Sequence, residues 1–303
     1  MLFYAFISRA KDHKELVKLY TDTLQAMAKN AVKKKELRNE SLFRYLLSAG
    51  LAGCYIGFGI ILMIVVGAPL LASNSPFTMT LMGLVFPVAL TLVLFAGSDL
   101  FTGNTMYFTI GTLSGATTWK DTLQNWFWCW SGNLIGAFIF SLIIVGSGIF
   151  YNVADDHMLY YLAAKKMNLP AVQLFFRGIL CNWLVCLAIW SAARSKSDAA
   201  KLILIFWMIF AFITSGFEHS VANMTVLSLA LLLPHPETID FAGMVYNLFF
   251  VTLGNIVGGG LFVGTIYWLI SPMEAKLGIT DIDNITTKHS TEAPKVISVV
   301  QKK

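Results

Sequence analysis

The sequence is poor in charge. Only 13% of its 303 residues are Asp, Glu, Lys or Arg, while 56% are hydrophobic. A water-soluble domain of this length carries far more polar surface, so that class is excluded. Ten-residue alternating segments are lacking, which excludes a membrane β-barrel. The four cysteines, Cys54, Cys129, Cys181 and Cys186, form no C-x-x-C pair and lie in apolar segments. They read as small buried hydrophobes, not as redox or metal groups. There is no H-E-x-x-H, and only one of the five histidines lies inside an apolar run, so no metal and no cofactor is expected. Residues 1–7 are apolar but lack a basic region, which does not read as a signal peptide.

What is present is a series of apolar runs long enough to cross a bilayer as helices. We read an all-α polytopic membrane protein with six transmembrane helices, near residues 42–66, 77–111, 122–150, 171–193, 202–233 and 241–270. Residues 1–41 form a cytoplasmic N-terminal segment, 42–270 the transmembrane domain and 271–303 a flexible cytoplasmic tail. Leu16, Leu19, Leu24, Met27 and Val32 recur at loosely helical spacing, which suits an amphipathic helix on the cytoplasmic membrane surface. A partly disordered tail is the other reading. Residues 151–170 read as a polar external loop. Trp126, Trp128 and Trp130 read as an interfacial belt. The net charge of +5 is no sign of nucleic acid, because the basic residues follow topology. Nine of the 22 Lys and Arg lie in residues 1–41, and only Lys165, Lys166 and Arg177 fall outside if both termini are cytoplasmic.

Two apolar runs are interrupted. Residues 97–104, Gly-Ser-Asp-Leu-Phe-Thr-Gly-Asn, break the second span; residues 216–224, Gly-Phe-Glu-His-Ser-Val-Ala-Asn-Met, break the fifth. In residues 202–233, Glu218 and His219 are the only ionisable groups. Irregular backbone survives at membrane depth only where protein buries it or a cavity receives it. The breaks also match each other: Gly97, Asp99 and Asn104 can be laid on Gly216, Glu218 and Asn223. Residues 132–136 match 254–258, and residues 50–55 can be laid on 178–183. Three spans per half make this an inverted 3+3 repeat, with the second and fifth helices interrupted and facing each other at mid-membrane. Interrupted helices aim N–H groups inward, which favours an anion.

His219 is a costly group at that depth and reads as part of a pathway, the alternative being a satisfied structural histidine. Asp99 and Glu218 precede half-helices and read as acceptors for loop N–H groups, since a carboxylate in the pore would repel an anion. Thr102 and Ser220 are caps or pore hydroxyls. Asn133, Asn182 and Asn255 either join helices or orient His219 and loop carbonyls. Lys165, Lys166 and Arg177 are either a solvated surface or an electropositive vestibule. The pairs Gly53/Gly57, Gly132/Gly136 and Gly254/Gly258 permit close helix approach.

Residues 95–106, 180–190 and 215–224 resemble the signatures of the formate/nitrite transporter family, most closely its nitrite branch. The resemblance spans residues 42–270. It implies an aquaporin-like fold and a homopentamer with one pore per protomer. It puts the family's central histidine at His219, its loop threonine at Thr102 and its histidine-associated asparagines at Asn182 and Asn255. Its apolar constrictions fall on Phe86, Leu90, Leu100 and Phe212, and its vestibule lysine on Lys166. Gly97, Gly216, Asp99 and Glu218 structure the loops. Asp99 stands where Glu is common, and Asn104 where the nitrite branch often has His.

The function expected is a channel or secondary transporter, not an enzyme, for small monovalent weak-acid anions in the inner membrane. Nitrite ranks first, with formate or hydrosulfide as alternatives and protons as partners. A neutral-solute pore and an intramembrane enzyme with a serine–histidine dyad are the rival classes.

Overall fold

The structure is a computed structural model that describes residues 2–271, with side chains from residue 20 onward. The expected tail, residues 271–303, lies outside the described residues apart from Ser271. The described chain is helical. Helix α1 spans Leu2–Glu40 and α2 spans Leu42–Ala72. Then come α3 (Thr78–Val85), α4 (Val88–Leu92) and a π-helical turn, Val93–Gly97. After a break follow α5 (Phe101–Leu113), α6 (Trp119–Ser147) and α7 (Met158–Asn168). Helix α8 spans Ala171–Arg194, and α9 (Asp198–Thr214) is separated by a second break from α10 (Ser220–Leu232). The last membrane-length stretch comprises α11 (Phe241–Ile256), a π-helical segment, Val257–Thr265, and α12 (Ile266–Ile270). Five stretches among the described residues are long and apolar enough to cross a membrane: Leu42–Ala72, Thr78–Gly97, Trp119–Ser147, Ala171–Arg194 and Phe241–Ile270. Helices α5 and α10 have 13 residues each, about 20 Å, too short for a hydrocarbon core of about 30 Å.

Local chemistry sets the helix starts. Ser41 accepts a hydrogen bond from the Arg44 N–H at the head of α2, and Asp240 from the Gly243 N–H at the head of α11. Thr118 and Asp121 form a reciprocal capping box at the head of α6. Close helix contacts follow the glycines. A Cβ at Gly136 would strike the Gly50 carbonyl, and one at Gly254 the Phe175 carbonyl, so α2–α6 and α8–α11 meet backbone to backbone.

Three sequence expectations change. Helix α2 does not end at residue 66 but runs through Pro69 to Ala72. The external loop contains α7, whose Met158, Leu159, Tyr160, Leu162, Ala163 and Met167 are buried; its neighbouring charges hid that face. Trp126 and Trp130 are half-buried and donate to the Asn104 carbonyl at 3.3 Å and to Thr252 Oγ1 at 3.1 Å. From residue 20 onward helix α1 turns its apolar face into the protein rather than onto a lipid surface, while Leu16 and Leu19 of the expected face lie outside the described side chains. Leu24, Met27, Ala28 and Ala31 are fully buried, and Ala31 packs at Gly111 of α5.

Candidate functional site

The two breaks are built alike. Gly97 has φ +84° and Gly216 has φ +71°, values that a side chain disfavours and that turn the chain out of its helix. The next residues are extended and must find partners for their polar backbone. Asp99 N–H donates to the Ser48 carbonyl, and Glu218 N–H to the Arg177 carbonyl, both at 3.2 Å. Asn133 Nδ2 donates to the Asp99 carbonyl at 2.8 Å while its Oδ1 accepts from the Phe101 N–H at 2.9 Å. Asn255 does the same at the other break, to the Glu218 carbonyl at 3.0 Å and from the Ser220 N–H at 2.9 Å. Each amide also holds the facing helix, at the Ala49 carbonyl and the Gly178 carbonyl, both 2.8 Å. These pairs correct one sequence match by a residue: Ala49, not Gly50, is the counterpart of Gly178.

The carboxylates do not take the expected N–H groups; Asn133, Asn255 and His219 do that work. Asp99 Oδ1 instead accepts from Asn104 Nδ2 at 3.0 Å and from the Lys34 ammonium at 2.5 Å. Glu218 accepts from Asn223 Nδ2 at 2.7 Å, and both its oxygens lie 2.9 Å from Lys166 Nζ. Lys34 comes from α1 and also sits over the Tyr107 ring at 5.2 Å. Burial works to lower its pKa, but Asp99 outweighs that and holds the ammonium above its ordinary range. Lys35 and Arg38 of the same helix pair with Asp121, at 2.8 and 3.6 Å.

His219 breaks the likeness. Its counterpart is Leu100, which heads α5 without a side-chain cap. His219 caps α10: its Nδ1 accepts from the Ala222 N–H at 3.2 Å. A ring nitrogen that accepts carries no proton, so the proton of the neutral imidazole is assigned to Nε2. Nε2 lies 3.2 Å from Thr102 Oγ1, and the ring stacks near Phe212 at 6.0 Å between centroids.

Phe86, Leu90, Leu100, Phe212 and His219, expected from sequence, converge on one cavity of about 10 Å³, together with Ile56, Val185 and Ile209. That is roughly the space of one water. Phe86 and Phe212 meet edge to face at 5.8 Å. Thr102 meets the imidazole at Nε2 and is not among the lining residues. Asn182 does not reach His219; its Nδ2 donates toward the Thr102 carbonyl, Thr105 Oγ1 and the Asn255 carbonyl, at 3.1, 2.9 and 2.6 Å. A second cavity, about 360 Å³, is lined by Lys165, Lys166, Arg177, Gly216 and Glu218, beside methionines and Tyr161. The sequence reading missed Lys34, Ile56, Val185 and Ile209. The bulky apolar residues carry no signal apart from any other core, and Lys34 lies in a charged stretch of many lysines.

The family description "formate/nitrite transporter" matches residues 21–269. The chain belongs to the formate/nitrite transporter family. It is 41% identical over 258 residues to the nitrite transporter NirC of Escherichia coli (strain K12), covering 84% of this chain and 93% of that one. Among solved structures, an FNT family ion channel aligns with TM-score 0.80 and 40% identity over 83% of this chain and all of that one. A pentameric formate channel with formate bound aligns with TM-score 0.66 and 31% identity over 76% of this chain and 98% of that one. As a family member the protein is a multi-pass membrane protein of a transporter and channel family.

Proposed function

We propose that the protein passes small monovalent weak-acid anions across the inner membrane, nitrite first and formate second, and that it carries out no bond chemistry. The reading adopts six crossings with both termini cytoplasmic and a homopentamer with one pore per protomer, supported by the likeness to the pentameric formate channel and to NirC. The observation that carries it is a single imidazole set among Phe86, Leu90, Leu100 and Phe212 in an otherwise apolar cavity. A bare anion there meets an idealised Born penalty of order 20 kcal/mol, so passage requires neutralisation. Lys165, Lys166 and Arg177 gather the anion in the larger cavity. It then passes the constriction as the neutral acid. Nε2–H, parked on Thr102, offers it one hydrogen bond.

His219 acts in this reading as a hydrogen-bond donor, and the neutralising proton comes from water. Its Nδ1 is committed to the Ala222 N–H, so a cationic ring would forfeit the cap of α10. The test is flux of nitrite, formate, bicarbonate and hydrosulfide into proteoliposomes across a pH range. Nitrite and formate flux rising as pH falls is the expected result. Water or glycerol flux without nitrite flux would replace this reading with a neutral-solute pore.

A further inference from the structure

The two halves use the same backbone bonds but fill one point between helices in opposite ways. The paired bonds at Ala49 and Gly178 and at Asn133 and Asn255 make Gly53 the counterpart of Asn182, and Ala137 the counterpart of Gly259. In the first half a side chain at Gly53 would run into the Asn133 carbonyl and the Ala137 N–H. Helix α6 there remains regular for 29 residues. In the second half the side chain is present. Asn182 donates to the Asn255 carbonyl, the counterpart of the carbonyl that shuts a side chain out at Gly53. The helix that faces it is not regular: two residues past Asn255 it widens into the π-helical segment Val257–Thr265. At Gly259 a Cβ would meet Thr105 Oγ1, Asn182 Nδ2 and Cys186 Sγ, all closer than real Cβ atoms tolerate. π-helical departures from the α-helix occur frequently at functional sites.

We propose that the wide turn at Gly259 is a positioning device for the pore histidine. By giving up a side chain and a regular turn, it admits Asn182 between α8 and α11. Asn182 then holds the Thr102 carbonyl and Thr105 Oγ1, at 3.1 and 2.9 Å. Thr105 Oγ1 itself donates to the Thr102 carbonyl at 2.7 Å. That fixes residue 102, whose hydroxyl is the partner of His219 Nε2. Gly259 touches neither His219 nor the cavity; it acts through Asn182 and Thr102. The inference rests on His219 serving the weak-acid pathway described above.

The experiment compares Gly259→Ala, Asn182→Gly and the double variant N182G/G259A, which transplants the first half's pairing into the second. Each is purified, its thermal midpoint and oligomeric state are measured, and nitrite and formate flux are followed in proteoliposomes from pH 5 to 8. Gly259→Ala is expected to lower the midpoint and to cut nitrite flux about tenfold or more, the scale of loss that a small misplacement of a working group brings. The double variant removes the contact with Asn182 Nδ2 but leaves Thr105 Oγ1 and Cys186 Sγ, so it is expected to regain part of the midpoint that Gly259→Ala loses. Its flux should stay low, with a changed nitrite-to-formate ratio and a changed pH profile. Recovery of midpoint, flux and ratio together would mean that the pair only fills space, and would overturn the proposal. So would Asn182→Gly with wild-type flux and ratio, or a complete failure of all three variants to fold. If wild-type protein itself passes no weak acid, the functional reading fails; if it does and the variants match it, only this inference fails.

Discussion

The break at residues 97–101 and the break at residues 216–220 share a skeleton and differ in one working group. Each has a left-handed glycine, an asparagine clamp from a neighbouring helix, and a carboxylate held by an amide and a lysine. After the carboxylate the first has Leu100 and the second His219. What the halves share is what it takes to keep bare backbone inside a membrane. What they do not share, His219 with its Asn182–Gly259 support, is where selectivity can reside.

The largest effect should come from removing the shared part. Asn133→Leu and Asn255→Leu each leave one break N–H, at Phe101 or Ser220, without its acceptor, at about 1–3 kcal/mol, and weaken the bonding of two carbonyls. Both variants should lose their folded assembly or show a sharply lowered midpoint in detergent. Tolerance of Asn133→Leu alongside collapse of Asn255→Leu would break the equivalence of the two breaks.

Much of this skeleton is legible in the sequence. Gly97 and Gly216, the carboxylates and the two asparagine clamps stand out because polar and flexible residues are rare in apolar runs. The family resemblance adds the constriction residues, which no pattern distinguishes from core. Lys34 is illegible for a topological reason. Lys166 lies 52 residues before Glu218 and reaches it from α7, whereas its partner in the first half arrives from α1, outside the repeat. At the position a fixed offset of 119 residues would give, the chain has Leu47, which is exposed. The wide turn is also hidden. Residues 258–260 are three glycines, but only the Asn182 side chain opposite explains why a helix should loosen there.

The asymmetric residue comes next. His219→Ala should cut nitrite flux by about tenfold, the scale of one lost hydrogen bond in a dry site, with Leu100→Ala changing it far less. His219→Asn keeps an acceptor for the Ala222 N–H and should retain the fold and an intermediate flux. Flux of His219→Ala equal to wild type would remove the imidazole from the pathway.

A smaller effect separates the two lysines. Lys166→Met leaves Glu218 unpaired on the wall of the larger cavity, where its charge repels anions. Flux should fall about two- to fivefold, more at low ionic strength than at high. Lys34→Met removes the α1 anchor at Asp99, and the readout is faster protease cleavage within residues 20–40. If Lys34→Met instead lowers flux with the same salt dependence and leaves α1 protected, both lysines serve conduction and the halves are more alike than argued here.

The smallest expected effect is a null, and its sign can be worked out. Lys34 has a folded-state pKa above its ordinary value of 10.5. Its ion pair with Asp99 therefore contributes stability that is fully present below the unfolded value and is lost only as pH rises through the higher folded one. From pH 5 to 8 Lys34 keeps its proton in both states, so its contribution to the docking of α1 stays constant. Hydrogen exchange of residues 20–40, corrected for its intrinsic pH dependence, should show equal protection at pH 5 and pH 8 and a loss only in strongly alkaline solution. Under that condition a rise of weak-acid flux toward pH 5 cannot come from titration of this lysine. In the proposed reading it comes from the permeant acid itself. Loss of protection in α1 between pH 5 and 8 would transfer part of the pH response from the pore to α1.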